Sequence, residues 1–176
     1  MRHLRQATVS PERFRHILGH FCSGVTVITS VDSDGQPAGF ACQAFAALSL
    51  DPPLVVFCPS RTSATWRVIA SSGHFTANVL AASQRDVARA FGRSGGDKFA
   101  GLTWSAGLTG APVLDGVLTW AACTVEEVHD GGDHHVVIGR IAELGDVTPG
   151  EPLLFYRGGY GLDHNLPDWP APDAWL

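Results

Sequence analysis

Val25-Thr26-Val27-Ile28-Thr29-Ser30-Val31, followed by Asp32-Ser33-Asp34-Gly35, decides the fold of this chain. Branched Cβ atoms crowd a helix and sit well on a pleated surface, and all of the first seven residues but Ser30 carry one. Asp32 to Gly35 supplies the polar, glycine-containing turn of a hairpin, so a second strand over Gln36 to Ala44 should return antiparallel to the first. The run therefore opens a β architecture.

Working outward, Ser10-Pro11-Glu12 provides a hydroxyl cap, a proline in the first turn and an acid at the positive end of a helix. Phe14, Ile17, Leu18 and Phe21 give that helix an apolar face, and Gly24 should end it. Downstream, Asp51-Pro52-Pro53 punctuates before a short strand, Leu54 to Cys58. Further strands are expected at Phe75 to Leu80, Leu118 to Val128, His135 to Leu144 and Leu153 to Tyr156. Two helices interrupt the series, one from Ser63 to Ser71 and one from Ser83 to Phe91, where Ser83 and Asp86 have capping-box spacing. Many strands joined by turns predict a mainly β, antiparallel barrel with a few peripheral helices. A doubly wound dinucleotide domain is excluded, because no G-x-G-x-x-G follows a strand.

The 176 residues suit one domain, read as an arm over residues 1–10, a folded body over 11–163 and an extended tail over 164–176. Prolines at 167, 170 and 172, with Trp169 and Trp175, make that tail a packing arm. Only 16% of residues are charged, which favours an oligomer that hides surface. A net charge of −5 without a basic block argues against nucleic acid. No apolar segment follows Arg2 and Arg5, and no apolar run could span a bilayer, so the expected location is the cytoplasm, away from membrane. Cys22, Cys42, Cys58 and Cys123 form no CxxC pair and are expected to be buried free thiols.

Chemistry concentrates in two places. A buried strand ends at Cys58, and Pro59-Ser60-Arg61-Thr62-Ser63 leads directly into a helix. Three hydroxyls, one guanidinium and the free N–H groups of a helix start make a phosphate cradle. Helix capping alone also explains those hydroxyls. Upstream, Ala41, Ala44, Ala46 and Ala47 leave backbone accessible to a flat ligand, although the stretch also reads as a plain strand and turn.

The motifs G-F-A-C-Q-A-F-A-A-L-S-L-D-P-P-L (39–54), S-R-T-S-A-T-W (60–66), A-N-V-L (77–80), F-G-x-x-x-x-D-K-F-A-G (91–101) and H-D-G-G-D-H (129–134) follow in that order. The chain resembles the short-chain flavin reductases over about Phe14 to Leu162. The resemblance implies a Greek-key split barrel that binds FMN, with FAD as an alternative, and uses NADH, or NADPH, as cosubstrate. It implies that Ala41, Cys42, Gln43, Ala44 and Ser49 line the flavin ring and ribityl chain. Ser60, Arg61, Ser63 and Thr65 would hold the phosphate, Asn78 would follow the strand, and Phe91, Lys98 and Phe99 would close over the flavin. Asp133, His134, Tyr156, Arg157 and Tyr160 would bind the nicotinamide nucleotide. No residue acts as a catalytic acid or base. A homodimer is implied, as is a separate flavin-dependent monooxygenase that takes the reduced flavin and hydroxylates an aromatic ring in steroid or aromatic catabolism. Cys42-Gln43 departs from the Thr-Ser or Ser-Asn of many relatives, which leaves the choice of flavin open.

Two rivals compete. His129, Asp130, Asp133, His134 and His135 offer metal-ligating side chains, as do Glu12, His16 and His20 at i, i+4, i+8. Neighbouring imidazoles on a strand point to opposite faces, however, and a solvated helix face explains the second set. The other rival is a split-barrel protein that binds flavin without turning it over. A second nucleotide motif at Gly132-Asp133-His134 argues against it.

Overall fold

A computed structural model describes residues 9–161, so most of the expected arm and all of the tail over 164–176 lie outside the described residues. Ser10 caps helix α1 (Pro11–Leu18) by accepting the Arg13 N–H. The helix ends at Leu18 rather than near Gly24, because Ser23–Gly24 (β1) is drawn into a strand pair. Then come β2 (Thr26–Val31), β3 (Pro37–Cys42), β4 (Phe45–Leu50), β5 (Pro53–Phe57), α2 (Ala64–Ser72) and β6 (His74–Val79). The second half holds α3 (Arg85–Gly92), β7 (Trp104–Ala106), β8 (Pro112–Leu114), β9 (Thr119–Gly131), β10 (His134–Leu144), β11 (Leu154–Tyr156) and β12 (Gly159–Tyr160).

The β2–β3 hairpin forms as its sequence dictates. The Asp32 carboxylate accepts the N–H groups of Asp34 and Gln36, and Gly35 takes the positive φ the turn needs. Ser83 does not cap α3. A short 3₁₀ turn, Ala82–Gln84, precedes that helix, and the Gln84 side chain accepts the Ala81 N–H instead.

Seven strands form one antiparallel sheet in the order β3-β2-β6-β9-β10-β5-β4. Its two edge strands, β3 and β4, are consecutive in the chain and joined only by Gln43 and Ala44. The sheet must therefore curl until its edges approach, giving a barrel that is split between them. Phe40 and Phe57, 6.4 Å apart at their ring centres, pack near that split. A smaller sheet, β1-β11-β12, attaches through backbone bonds that link Val25, Leu80 and Leu153.

β2 is buried on both faces, which explains its unbroken β-branched character. Ile28 points into the barrel core with Phe57, Ile69, Phe75 and Val137, while Val27 joins a second core with Leu80, Phe91 and Phe155. β9 and β10 make the longest ladder, with register shifts near Gly139 and Ile141. A Cβ on Gly139 would lie 2.5 Å from the Phe75 ring, so that position takes only glycine. None of the described helices is long and apolar enough to cross a membrane.

Candidate functional site

The expected phosphate cradle falls on the loop where strand β5 passes into α2. Ser63 is the N-cap of α2, and its hydroxyl accepts the Trp66 N–H at 3.2 Å. The Ser60 and Thr62 hydroxyls lie 3.0 Å apart on the exposed loop. Arg61 reaches sideways: its Nε donates to the Gly132 carbonyl at 2.8 Å and its Nη2 to Asp130 Oδ1 at 2.5 Å. Backbone bonds run the same way, from Arg61 N to the Asp133 carbonyl and from His135 N to the Pro59 carbonyl. The loop after β5 is thus pinned to the β9–β10 turn. Two motifs far apart in sequence become neighbours.

That turn carries Asp133 and His134. Gly132 has φ +80°, so a residue with a Cβ would be strained there. The Asp133 carboxylate, 93% exposed, lies 2.7 Å from His134 Nδ1, and this hydrogen bond holds its pKa below the usual carboxylate range. An ionised carboxylate only accepts, so Nδ1 carries the proton. The His134 side chain is 15% exposed, and its Nε2 is buried with no hydrogen-bond partner. A buried, unpaired ring nitrogen is costly and marks a place where a ligand group would be welcome.

The positions expected to line a flavin sit at the split. Cys42 turns into the barrel core, where burial pushes its thiol up to about 12. Its carbonyl, also buried, accepts the Thr26 hydroxyl. Gln43 and Ala44 form the half-exposed link between the edge strands, with Gln43 Oε1 accepting from Ser23 and the Ala44 carbonyl from Cys58 N. Ala41 packs on the second core, and Ser49 lies at a bulge on edge strand β4.

Several expected ligand residues turn out to be committed to the fold. Asn78 is fully buried: its Nδ2 donates toward the Val27 and Pro112 carbonyls and the Thr29 hydroxyl, and its Oδ1 accepts Leu114 N. It has no group left for a flavin. Phe91 is 1% exposed and lies against Gly39, where a Cβ would come within 2.5 Å of its ring, so it supports β3 from below rather than closing over it. Thr65, also buried, donates its hydroxyl to the Gly39 carbonyl. Lys98 Nζ donates to that same carbonyl at 3.1 Å and to Phe91 O at 3.3 Å, and partial burial lowers its pKa. Phe99 stacks edge-on against Phe91. Thr65, Lys98 and Phe91 thus meet β3, the strand leading into Gln43, at Gly39, while Asn78 ties β2 to β8.

The remaining nicotinamide candidates lie on a different sheet from His134. Tyr156, Arg157 and Tyr160 belong to the β11–β12 hairpin of the smaller sheet. Arg157 (φ +48°) and Gly158 form its two-residue turn, and Tyr156 meets the His20 ring. The Tyr160 ring packs on Phe155, and burial raises its phenol pKa. A link to the split exists through Ser23, which pairs with Phe155 and contacts Gln43. Two partners were missed in the sequence, Asp130 beside Arg61 and Ser23 beside Gln43.

The expectation of buried thiols holds for Cys42 and Cys123 and fails elsewhere, since Cys22 is exposed and Cys58 half-buried. Among the described residues, no three His, Cys, Asp or Glu side chains gather as a metal site. His129 turns to Glu127, His134 to Asp133 and His135 to the Trp66 ring. A separate open depression of about 350 Å³, beside Trp120 and Glu143, contains none of the expected site residues.

Residues 18–162 match the family described as flavin reductase like domain. The chain is 51% identical to the reductase subunit HsaB of a flavin-dependent monooxygenase from Rhodococcus jostii, over 95% of this chain and 84% of that one. It is 48% identical, at a TM-score of 0.82, to nitrilotriacetate monooxygenase component B from Mycobacterium thermoresistibile, over 94% of each chain. The NADH:FAD oxidoreductase SgcE6 of Streptomyces globisporus, solved with NAD and FAD fragments, is 29% identical at a TM-score of 0.82, over 90% and 98% of the two chains.

Proposed function

Since the chain belongs to the flavin reductase family, it is an NAD(P)H:flavin oxidoreductase, and we propose that its two sites are the cradle and the turn just described. The observation that carries this reading is the pinning of the Ser60–Ser63 loop to the Gly132–His134 turn by Arg61. A phosphate-seeking element and a buried unpaired imidazole nitrogen then stand side by side. When bound, the flavin accepts a hydride from the reduced nicotinamide, and the two cofactors supply that chemistry between them.

The chain's own residues bind and orient. Arg61, with the Ser60 and Thr62 hydroxyls and the free N–H groups at the start of α2, would hold the flavin phosphate. The backbone of Cys42, Gln43 and Ala44 would face the ring's polar edge, where small side chains admit a flat ligand. Thr65, Phe91 and Lys98 would fix β3 at Gly39, with Phe99 behind Phe91, and Asn78 would tie β2 to β8; none of them would touch the ligand. His134 Nε2, its tautomer set by Asp133, would accept a hydrogen bond from the nicotinamide nucleotide. Reduced flavin then leaves for a separate monooxygenase component, and we take that partner's substrate to be an aromatic ring of steroid or aromatic catabolism.

The test is anaerobic mixing of the purified chain with FMN and NADH, followed by the flavin's visible absorbance. Wild type should bleach it. His134→Ala should raise the KM for NADH about tenfold, the scale of one buried polar contact, with FMN affinity kept. An FMN spectrum that stays oxidised with wild-type protein would sink the enzyme reading and favour a flavin carrier.

We also place the protein in the cytoplasm as a homodimer. α1 buries none of its residues: its Phe14, Ile17 and Leu18 are about half exposed, and Phe21 just beyond it is 81% exposed. An amphipathic helix whose apolar face stays this open among the described residues fits a second copy. Ile17→Asp should convert the dimer to monomer in sedimentation velocity. A wild-type chain that sediments as a monomer ends the proposal.

A further inference from the structure

We propose that Arg61 is a strut between the two nucleotide sites and that Asp130 is the positioning residue that braces it. The proposal rests on the site assignment above. The guanidinium has five N–H donors in a planar fork. Nε and Nη2 lie along one edge, and that edge is spent on the β9–β10 turn, at Gly132 O and Asp130 Oδ1. The Nη1 end remains for an anion. One side chain thus grips the nicotinamide turn with one edge and offers the other to the flavin phosphate.

The grip bears on His134 directly. Arg61 N bonds the Asp133 carbonyl, Ser60 bridges His134, and His135 N bonds the Pro59 carbonyl, so residues 130 to 135 are held along their length. Asp130 and Gly132 are anchored only through the guanidinium among the bonds that join this turn to the loop. Without the carboxylate, the guanidinium keeps one bond on that edge and can rotate about it. The turn then loses its charged anchor, and the two backbone bonds that flank His134 are left to hold it with the Gly132 contact. Asp130 is 86% exposed, so the ion pair is screened and its effect is measured in multiples rather than decades.

The test uses Asp130→Ala and Asp130→Asn, which at so exposed a position fold normally. In flavin-free protein, amide exchange at Arg61 and His135 should quicken about three- to tenfold, since both amides bond across the junction. The KM for NADH at saturating FMN should rise about three- to tenfold, the scale of one partly exposed charge-assisted bond. The Kd for FMN, from fluorescence quenching, should stay within about twofold. Unchanged exchange and KM would overturn the strut, as would an FMN Kd that moves as much as the KM. Arg61→Ala separates the two readings. If it quickens exchange but leaves FMN binding intact, the strut stands and the phosphate cradle falls. If FMN binding weakens while exchange and KM stay at wild-type values, the cradle stands and the strut falls.

Discussion

Asn78→Leu should destabilise the protein by about 3 kcal/mol and lower its Tm by about 10 °C, while leaving FMN affinity of the folded protein within about twofold. The side chain is fully buried, and leucine has the same branched, four-heavy-atom outline with bulkier methyl groups, so none of the loss comes from a cavity. Polar groups carry the effect. Leu114 N–H gives its bond to Asn78 Oδ1 at 2.9 Å, and leucine leaves that donor buried and unpaired. The carbonyls of Val27 and Pro112 and the Thr29 hydroxyl lose a donor as well. A stranded buried group costs about 1–3 kcal/mol; the Thr29 hydroxyl and the Pro112 carbonyl keep each other as partners, so the total stays near the upper end of the cost of one such group. Thermal unfolding followed by circular dichroism reads the first part, and FMN fluorescence quenching reads the second. A well-folded variant with much weaker FMN binding would return Asn78 to the ligand.

The case of Asn78 shows which parts of this molecule were legible in the chain. Its neighbours Phe75 to Leu80 announce a strand by composition, and β2 and β10 do the same. The side chain's partners, Pro112 and Leu114, lie more than thirty positions away on a three-residue strand, too short for any periodicity to reveal. β4 escaped for a related reason: Phe45-Ala46-Ala47-Leu48-Ser49-Leu50 has no β-branched residue, and its strand character comes from pairing with β5. The loop over Pro59 to Ser63 and the helix start after it were legible because the five residues are contiguous and a helix start is a local event. Asp130 was not, because nothing in a sequence pairs position 61 with position 130 before the β9–β10 turn folds over the loop. The apolar stripe of α1 could be read directly, but what covers it depends on tertiary and quaternary structure.

Arg61→Ala should weaken FMN binding about tenfold and leave riboflavin binding within about twofold, a difference that only a phosphate contact produces. A charge-assisted hydrogen bond contributes about 1.5–3 kcal/mol, which corresponds to roughly ten- to hundredfold in affinity. The Arg61 side chain is 40% exposed, so solvent screening places the loss at the lower end of that range. Riboflavin has the same ring and ribityl chain without the phosphate, so it meets the Cys42–Ala44 backbone but not the guanidinium. Because the guanidinium acts far from the reacting ring, it binds ground state and transition state alike, and kcat at saturating FMN and NADH should hold near wild type. Paired titrations of wild type and variant with the two flavins decide the matter. Equal losses for FMN and riboflavin would mean that the substitution disturbs the loop as a whole. No loss for FMN would move the phosphate away from the Ser60–Ser63 loop altogether.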